Sequence, residues 1–131
     1  RAERRELKLD RLRKITVAAL KQSGGTWLPR LDELTPLPAA LPDVPPGTGF
    51  IAHLTDDPAD RLPLAHALGA LPTVAILIGP EGDFTPSEVF EARAAGFQPV
   101  TLGHNVLRTE TAALFACCVV HGTTNFTPAR K

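Results

Sequence analysis

The amino-acid sequence predicts an α/β layered domain, a mostly parallel sheet flanked by helices. Three observations point to it. The elements read in the order helix, strand, strand, short helix, strand, helix, strand, helix. Val74-Ala75-Ile76-Leu77-Ile78 is an unbroken apolar run of strand length, the pattern of a strand buried on both faces of a parallel sheet. Shortly after it, Thr85-Pro86-Ser87-Glu88 forms a capping box with proline at the first helical position, so a helix follows that strand.

Residues 1–22 contain no Pro or Gly and read as a helix. Leu12, Ile15 and Ala19, with Leu20 beside them, give it one apolar stripe. Arg4, Arg5, Lys8 and Arg11 lie near one another on its polar face, and the Gly24–Gly25 pair ends it. Residues 27–31 make a short apolar stretch that carries Pro29, so at best a short or edge strand. Residues 35–49 hold five prolines and read as a connection with little regular structure. Residues 50–54 suit a short strand, Asp56, Asp57 and Pro58 a turn, and residues 62–71 a short helix with Pro63 in its first turn. The capped helix is expected to turn Val89, Phe90 and Ala94 inward and to stop at Gly96. Residues 100–102 form the next strand and residues 103–107 a loop. An apolar helix then runs from about Thr109 to Val120, with Gly122 closing it.

The length of 131 residues is that of one domain, large enough to bury a core without metals or disulfides. Apolar residues at 44% and charged residues at 21% are ordinary for a globular protein and exclude collagen, long disordered tails and disulfide scaffolds. No apolar run reaches the roughly 20 residues that cross a bilayer. The opening residues lack a signal-peptide pattern, and adjacent Cys117 and Cys118 are poorly placed for a structural bridge, so the expected compartment is the cytoplasm. Both cysteines sit in the last apolar helix and are expected in the core. Net charge is zero, yet residues 1–30 hold nine Lys and Arg against three acids, and the remainder five against eleven. A basic front of this kind suits a phosphate-bearing partner; a solvated helix face is the plainer alternative.

Ligands of open α/β sheets bind beyond the C-terminal ends of the strands. Two such ends are legible: Gly79-Pro80-Glu81-Gly82 after Ile78, and Leu102-Gly103, followed by Leu107-Arg108-Thr109-Glu110-Thr111-Ala112. Glycine there lets backbone approach a ligand closely, although a tight turn asks for the same residue. Arg108 and Glu110 are charged residues at the junction of an apolar loop and an apolar helix, where either a ligand clamp or helix-start electrostatics could place them. The glycine-rich motifs of dinucleotide and nucleoside-triphosphate sites are missing, as is a G-x-S-x-G elbow. His53, His66, His104 and His121 have no metal-ligand spacing and read as surface or packing residues, and no metal is expected.

The segment IGPEGDFTPSE, Ile78 to Glu88, is similar to the IGPEGG-(F)-(S/T)-x-x-E motif of the RsmE family, ribosomal RNA small-subunit methyltransferases that make N3-methyluridine. VTLGHNVLRTETA, Val100 to Ala112, resembles that family's V-x-LG-x-x-ILR-x-ETA. Upstream, Ala18-Ala19-Leu20-Lys21-Gln22-Ser23, followed by Trp27-Leu28-Pro29, resembles its A-x-x-QS-x-R-x-x-x-P region. The three matches span about residues 10–120 in order.

The resemblance implies a catalytic domain of the SPOUT class, an α/β fold with a deep trefoil knot, acting as a homodimer. It implies S-adenosylmethionine held in the knot by Leu77, Ile78, Gly79, Gly82, Leu102, Gly103, Leu107, Arg108, Glu110, Thr111 and Ala112. The implied reaction is methyl transfer to N3 of a uridine in 16S rRNA of the 30S subunit. Arg108 would stabilise developing charge or clamp phosphate, Glu110 would orient Arg108 or accept the proton, and Thr111 could share either role. The basic face of Arg4, Arg5, Lys8 and Arg11 would lie along the RNA. Three departures stand out: Asp83 replaces a second glycine, Gly24–Gly25 replace an expected arginine, and the chain opens directly on the basic helix. The last implies that the family's first strand and PUA-like RNA-binding domain lie outside these residues. A SPOUT enzyme acting on tRNA, a nucleotide-binding module without chemistry and a plain structural α/β domain are the rival expectations.

Overall fold

The computed structural model describes residues 9–60 and 62–125. They belong to two units, residues 1–39 and residues 40–131. In the first, Leu9–Ser23 forms helix α1. Gly24 takes a left-handed φ of +67, and the Gly25 amide donates to the Leu20 carbonyl at 3.1 Å, which closes the last turn. The apolar stripe is rotated from the expected one. Leu12, Thr16, Val17 and Leu20 are half-buried, whereas Ile15 and Ala19 are exposed. Thr16 reaches this face by bonding its hydroxyl back to the Leu12 carbonyl at 2.9 Å. Residues 27–31 are not a strand: Trp27 is 89% exposed and Pro29 supplies no N–H for a ladder.

The expected irregular connection carries helical turns, α2 (Leu37–Ala40) and a 3-10 turn (Leu41–Asp43), because Pro38 and Pro42 stand in first turns, where proline is tolerated. Three strands follow: β1 (Gly49–Ala52), β2 (Ala75–Ile78) and β3 (Gln98–Val100). The sheet is parallel throughout, in the order β2-β1-β3, with Phe50 opposite Ile76 on one side and Gln98 on the other. The most buried strand is therefore β1, where Phe50 and Ile51 are buried. The β2 run, expected to be covered on both faces, is half-buried along its whole length because among the described residues it pairs only with β1. A fully apolar strand looks the same in sequence whether central or at an edge.

The expected helix over residues 62–71 shrinks to α3 (Leu64–Ala67). Residues 62–64 extend instead beside β3: the Thr101 amide donates to the Leu62 carbonyl at 2.9 Å and the Leu64 amide to the Thr101 carbonyl at 3.0 Å. Pro63, with φ −60 and ψ 136, favours that extended start. β3 likewise begins earlier than expected, at Gln98, and accommodates Pro99 beside β1.

Helix α4 (Pro86–Ala94) carries the full capping box, with the Glu88 carboxylate accepting from the Thr85 amide at 2.7 Å. It buries Ala92, while Phe90 is 72% exposed and Ala94 is exposed, contrary to expectation. The cap sets the helix phase, and the inward face is Val89 and Ala92, with Phe97 buried just beyond the helix.

Helix α5 (Thr109–Asn125) continues through Gly122, which does not close it, and packs on α3 and β2. Ala112 and Ala116 form its buried face, so Leu114, Phe115, Cys117 and Cys118 are exposed. The cysteines are thus outside the core; a helix apolar all round carries no phase signal from which their side could be read. No described helix is long and apolar enough to cross a membrane.

Phe50, Leu64, Leu68, Val100 and Ala116 form one buried cluster. Ile51 alternates to the other face of β1 and has no exposed surface. Truncating it there leaves a cavity. Ile51→Ala is expected to lower unfolding free energy by about 3 kcal/mol, read by urea denaturation with an unchanged slope.

Candidate functional site

Because the strands run parallel, their C-terminal ends lie together, and the segments after Ala52, Ile78 and Val100 gather there. A cleft of about 330 Å³ opens among them. Its walls are residues 52–54 after β1, 78–83 after β2, 100–103 at β3, and residues 105–109 with Ala112 leading into α5. All belong to the second unit.

Ile78, Gly79, Gly82, Leu102, Gly103, Leu107, Arg108 and Ala112, read from sequence as site residues, line this cleft. Leu77, Glu110 and Thr111 do not. Leu77 precedes Ile78 in β2, and strand alternation sends it to the opposite face. Glu110 and Thr111 are exposed in the first turn of α5, where an acid favours the positive end of the helix dipole. Arg108 is exposed, and among the described residues no ion pair joins it to Glu110. Arg4, Arg5 and Lys8 lie outside the described residues; Arg11 is exposed on α1.

The loop after β2 is wound tightly. A Cβ on Gly79 would stand 2.9 Å from Oδ1 of Asp83 and 3.3 Å from the Phe84 ring, so glycine is required by close approach rather than by φ. Gly82 and Asp83 both take positive φ, +92 and +65. Aspartate tolerates this conformation better than most residues, and here its carboxylate accepts two backbone N–H groups. Oδ2 receives the Leu54 amide at 2.6 Å and Oδ1 the Phe84 amide at 2.8 Å. Asp83 thereby ties the exit of β1 to the exit of β2. Thr109 makes a second tie, its hydroxyl donating to the Gly79 carbonyl at 3.0 Å, which holds the start of α5 against the same loop.

The end of β1 is a third strand exit that the sequence reading did not include. The same rule that selected Gly79 and Gly103 could have found it, since any parallel strand ends on this side. It contributes His53, whose side chain is buried. Nδ1 lies 3.1 Å from the Leu54 carbonyl, and as a carbonyl can only accept, Nδ1 carries the proton. Nε2 is buried without a hydrogen-bond partner among the described residues, 4.0 Å from Oδ2 of Asp60. That oxygen accepts from Arg93 at 2.9 Å, linking the turn after β1 to α4.

The family described as RNA methyltransferase domain matches residues 1–121. The chain is 33% identical over 116 residues, 87% of its length, to ribosomal RNA small subunit methyltransferase E of Synechocystis sp., of which it covers 38%. Among solved structures it is similar to a "probable rRNA-methyltransferase" from Porphyromonas gingivalis, with 38% identity and a TM-score of 0.79 over 93% of this chain and 52% of that one. It is also similar to ribosomal RNA small subunit methyltransferase E of Neisseria gonorrhoeae bound to S-adenosyl methionine, with 30% identity and a TM-score of 0.74 over 91% of this chain and 47% of that one. The chain thus spans about half the length of these structures.

The tight loop makes Gly79 sensitive to a single methyl group. Gly79→Ala should push the Asp83 carboxylate off the Leu54 amide and cost about 1–3 kcal/mol of stability. Denaturation measures the cost, and faster hydrogen exchange at the Leu54 amide reports the broken tie.

Proposed function

This chain belongs to the RNA methyltransferase domain family, and we propose that it methylates N3 of a uridine in 16S rRNA of the small ribosomal subunit, using S-adenosylmethionine. The observation that carries this proposal is the cleft, where two of the three family-like segments meet at the ends of parallel strands. The solved relative from Neisseria gonorrhoeae, which binds S-adenosyl methionine, supports the choice of cofactor.

The residues present fit that cofactor. A cleft of about 330 Å³ is within the size range of small-molecule sites. Ile78, Leu102, Val106, Leu107 and Ala112 offer apolar walls for an adenine ring. Gly79, Gly82 and Gly103 leave backbone groups open to approach, and Glu81 and Asp83 bring negative charge suited to a sulfonium. When bound, S-adenosylmethionine supplies a methyl carbon attached to a cationic sulfur.

The walls would hold the reacting atoms in line and exclude water, which is where most of the rate would come from. Arg108, exposed at the cleft and unpaired with Glu110, would stabilise negative charge at the uridine or clamp its phosphate. Glu110 and Thr111, the second and third residues of α5, would orient Arg108 or take the N3 proton. Leu77 would support Ile78 from within β2. The target base must leave its stack to enter such a cleft.

A knotted path belongs to the same proposal. The bond between Thr109 and Gly79, across 30 residues, supports a tail drawn against the earlier loop. A homodimer is favoured by the exposed apolar side of α5, where Leu114 is 67% and Phe115 43% exposed beside both cysteines. The basic residues of the opening segment, Arg4, Arg5, Lys8 and Arg11, would meet RNA, and the cytoplasm is where ribosomal subunits would be met.

Isothermal titration is expected to show S-adenosylmethionine binding to this chain. Tritiated cofactor should then label 30S subunits, with the label mapping to a uridine N3. A label in tRNA would change the substrate, and cofactor binding without any transfer by a complete, dimeric protein would leave a binding module. Arg108→Ala should cut transfer by about a hundred-fold. RNA binding should weaken steeply between 50 and 200 mM salt, as expected for phosphate contacts.

A further inference from the structure

We propose that Asp83 determines ligand selectivity in the cleft: its fixed carboxylate favours the cationic sulfonium cofactor over the neutral thioether left after transfer. This rests on the cofactor proposed above. The position stands where the similar family motif often has a second glycine, and glycine adopts positive φ freely. The positive φ of +65 does not by itself require a carboxylate; the carboxylate adds a charge to the ties it makes with the Leu54 and Phe84 amides.

The carboxylate is also held at both oxygens. Oδ2 accepts the Leu54 amide at 2.6 Å and Oδ1 the Phe84 amide at 2.8 Å, so one oxygen is tied to the wall segment after β1 and the other to the backbone of the next residue. Oδ1 sits above Gly79, close enough that a Cβ there would be 2.9 Å away. Fixed charge acts more strongly than charge on a free side chain, because no reorganisation is needed when the ligand arrives. Glu81 and Arg108 are the other formally charged residues that line the cleft, so two carboxylates and one guanidinium share it. The transfer removes the ligand's sulfonium charge while leaving its nucleoside intact. A site holding a fixed anion distinguishes cofactor from product by that charge alone, and so favours exchange of product for fresh cofactor.

The test is titration of the chain with S-adenosylmethionine and separately with S-adenosylhomocysteine, for the wild type, Asp83→Asn and Asp83→Gly. The affinity ratio of the two ligands is the readout, because a loosened loop weakens both ligands alike and leaves the ratio unmoved. Removing the charge should lower the ratio by about five-fold in both variants. Asp83→Gly installs the family's residue and relieves the positive φ, so it guards against a folding defect. An unchanged ratio in the two variants overturns the inference, even if both affinities fall. Binding of neither ligand by the wild type overturns the proposed cofactor, and the inference with it.

Discussion

Hydrogen bonding of β1 to a parallel partner on each side is the constraint on which the site depends. Parallel pairing makes all three strands finish in the same direction, so three loops distant in sequence arrive at one edge. Burial of Phe50 and Ile51 on opposite faces keeps β1 between its neighbours. The covered faces leave the strand ends as the place where backbone polar groups can still meet a ligand.

The gathered loops are then held in shape by a few polar contacts. The Asp83 carboxylate joins the exits of β1 and β2, and the Thr109 hydroxyl joins the start of α5 to the exit of β2. Both contacts use side chains to satisfy or engage backbone groups that have left the ladder. Gly79 is small because the Asp83 carboxylate occupies the space a side chain would need. The wall is therefore a coupled unit, in which the identity of one residue restricts its neighbours.

Helix α5 serves two sides at once. Its small buried residues, Ala112 and Ala116, let it lie close to the core, and Ala112 also reaches the cleft. The opposite side presents Leu114, Phe115 and both cysteines. That exposed apolar side is the surface the proposed homodimer would cover.

Much of the site is legible in the amino-acid sequence alone. The β2 run, the capping box at Thr85 and the glycine-bearing loops carry local chemistry, since strand and cap propensities act over a few residues. The likeness to a methyltransferase family was readable for the same reason: its motifs are contiguous. What the chain could not reveal locally was the partner of each segment. That β1 rather than β2 is central, that Phe90 and the cysteines face outward, and that residues 62–64 extend along β3 all depend on packing between distant segments. So does the role of His53 and Asp83, whose neighbours at the cleft come from other loops. Amino-acid order determined the elements and their loop chemistry; tertiary structure decided which side of each is covered, because burial belongs to pairs of surfaces and not to a residue alone.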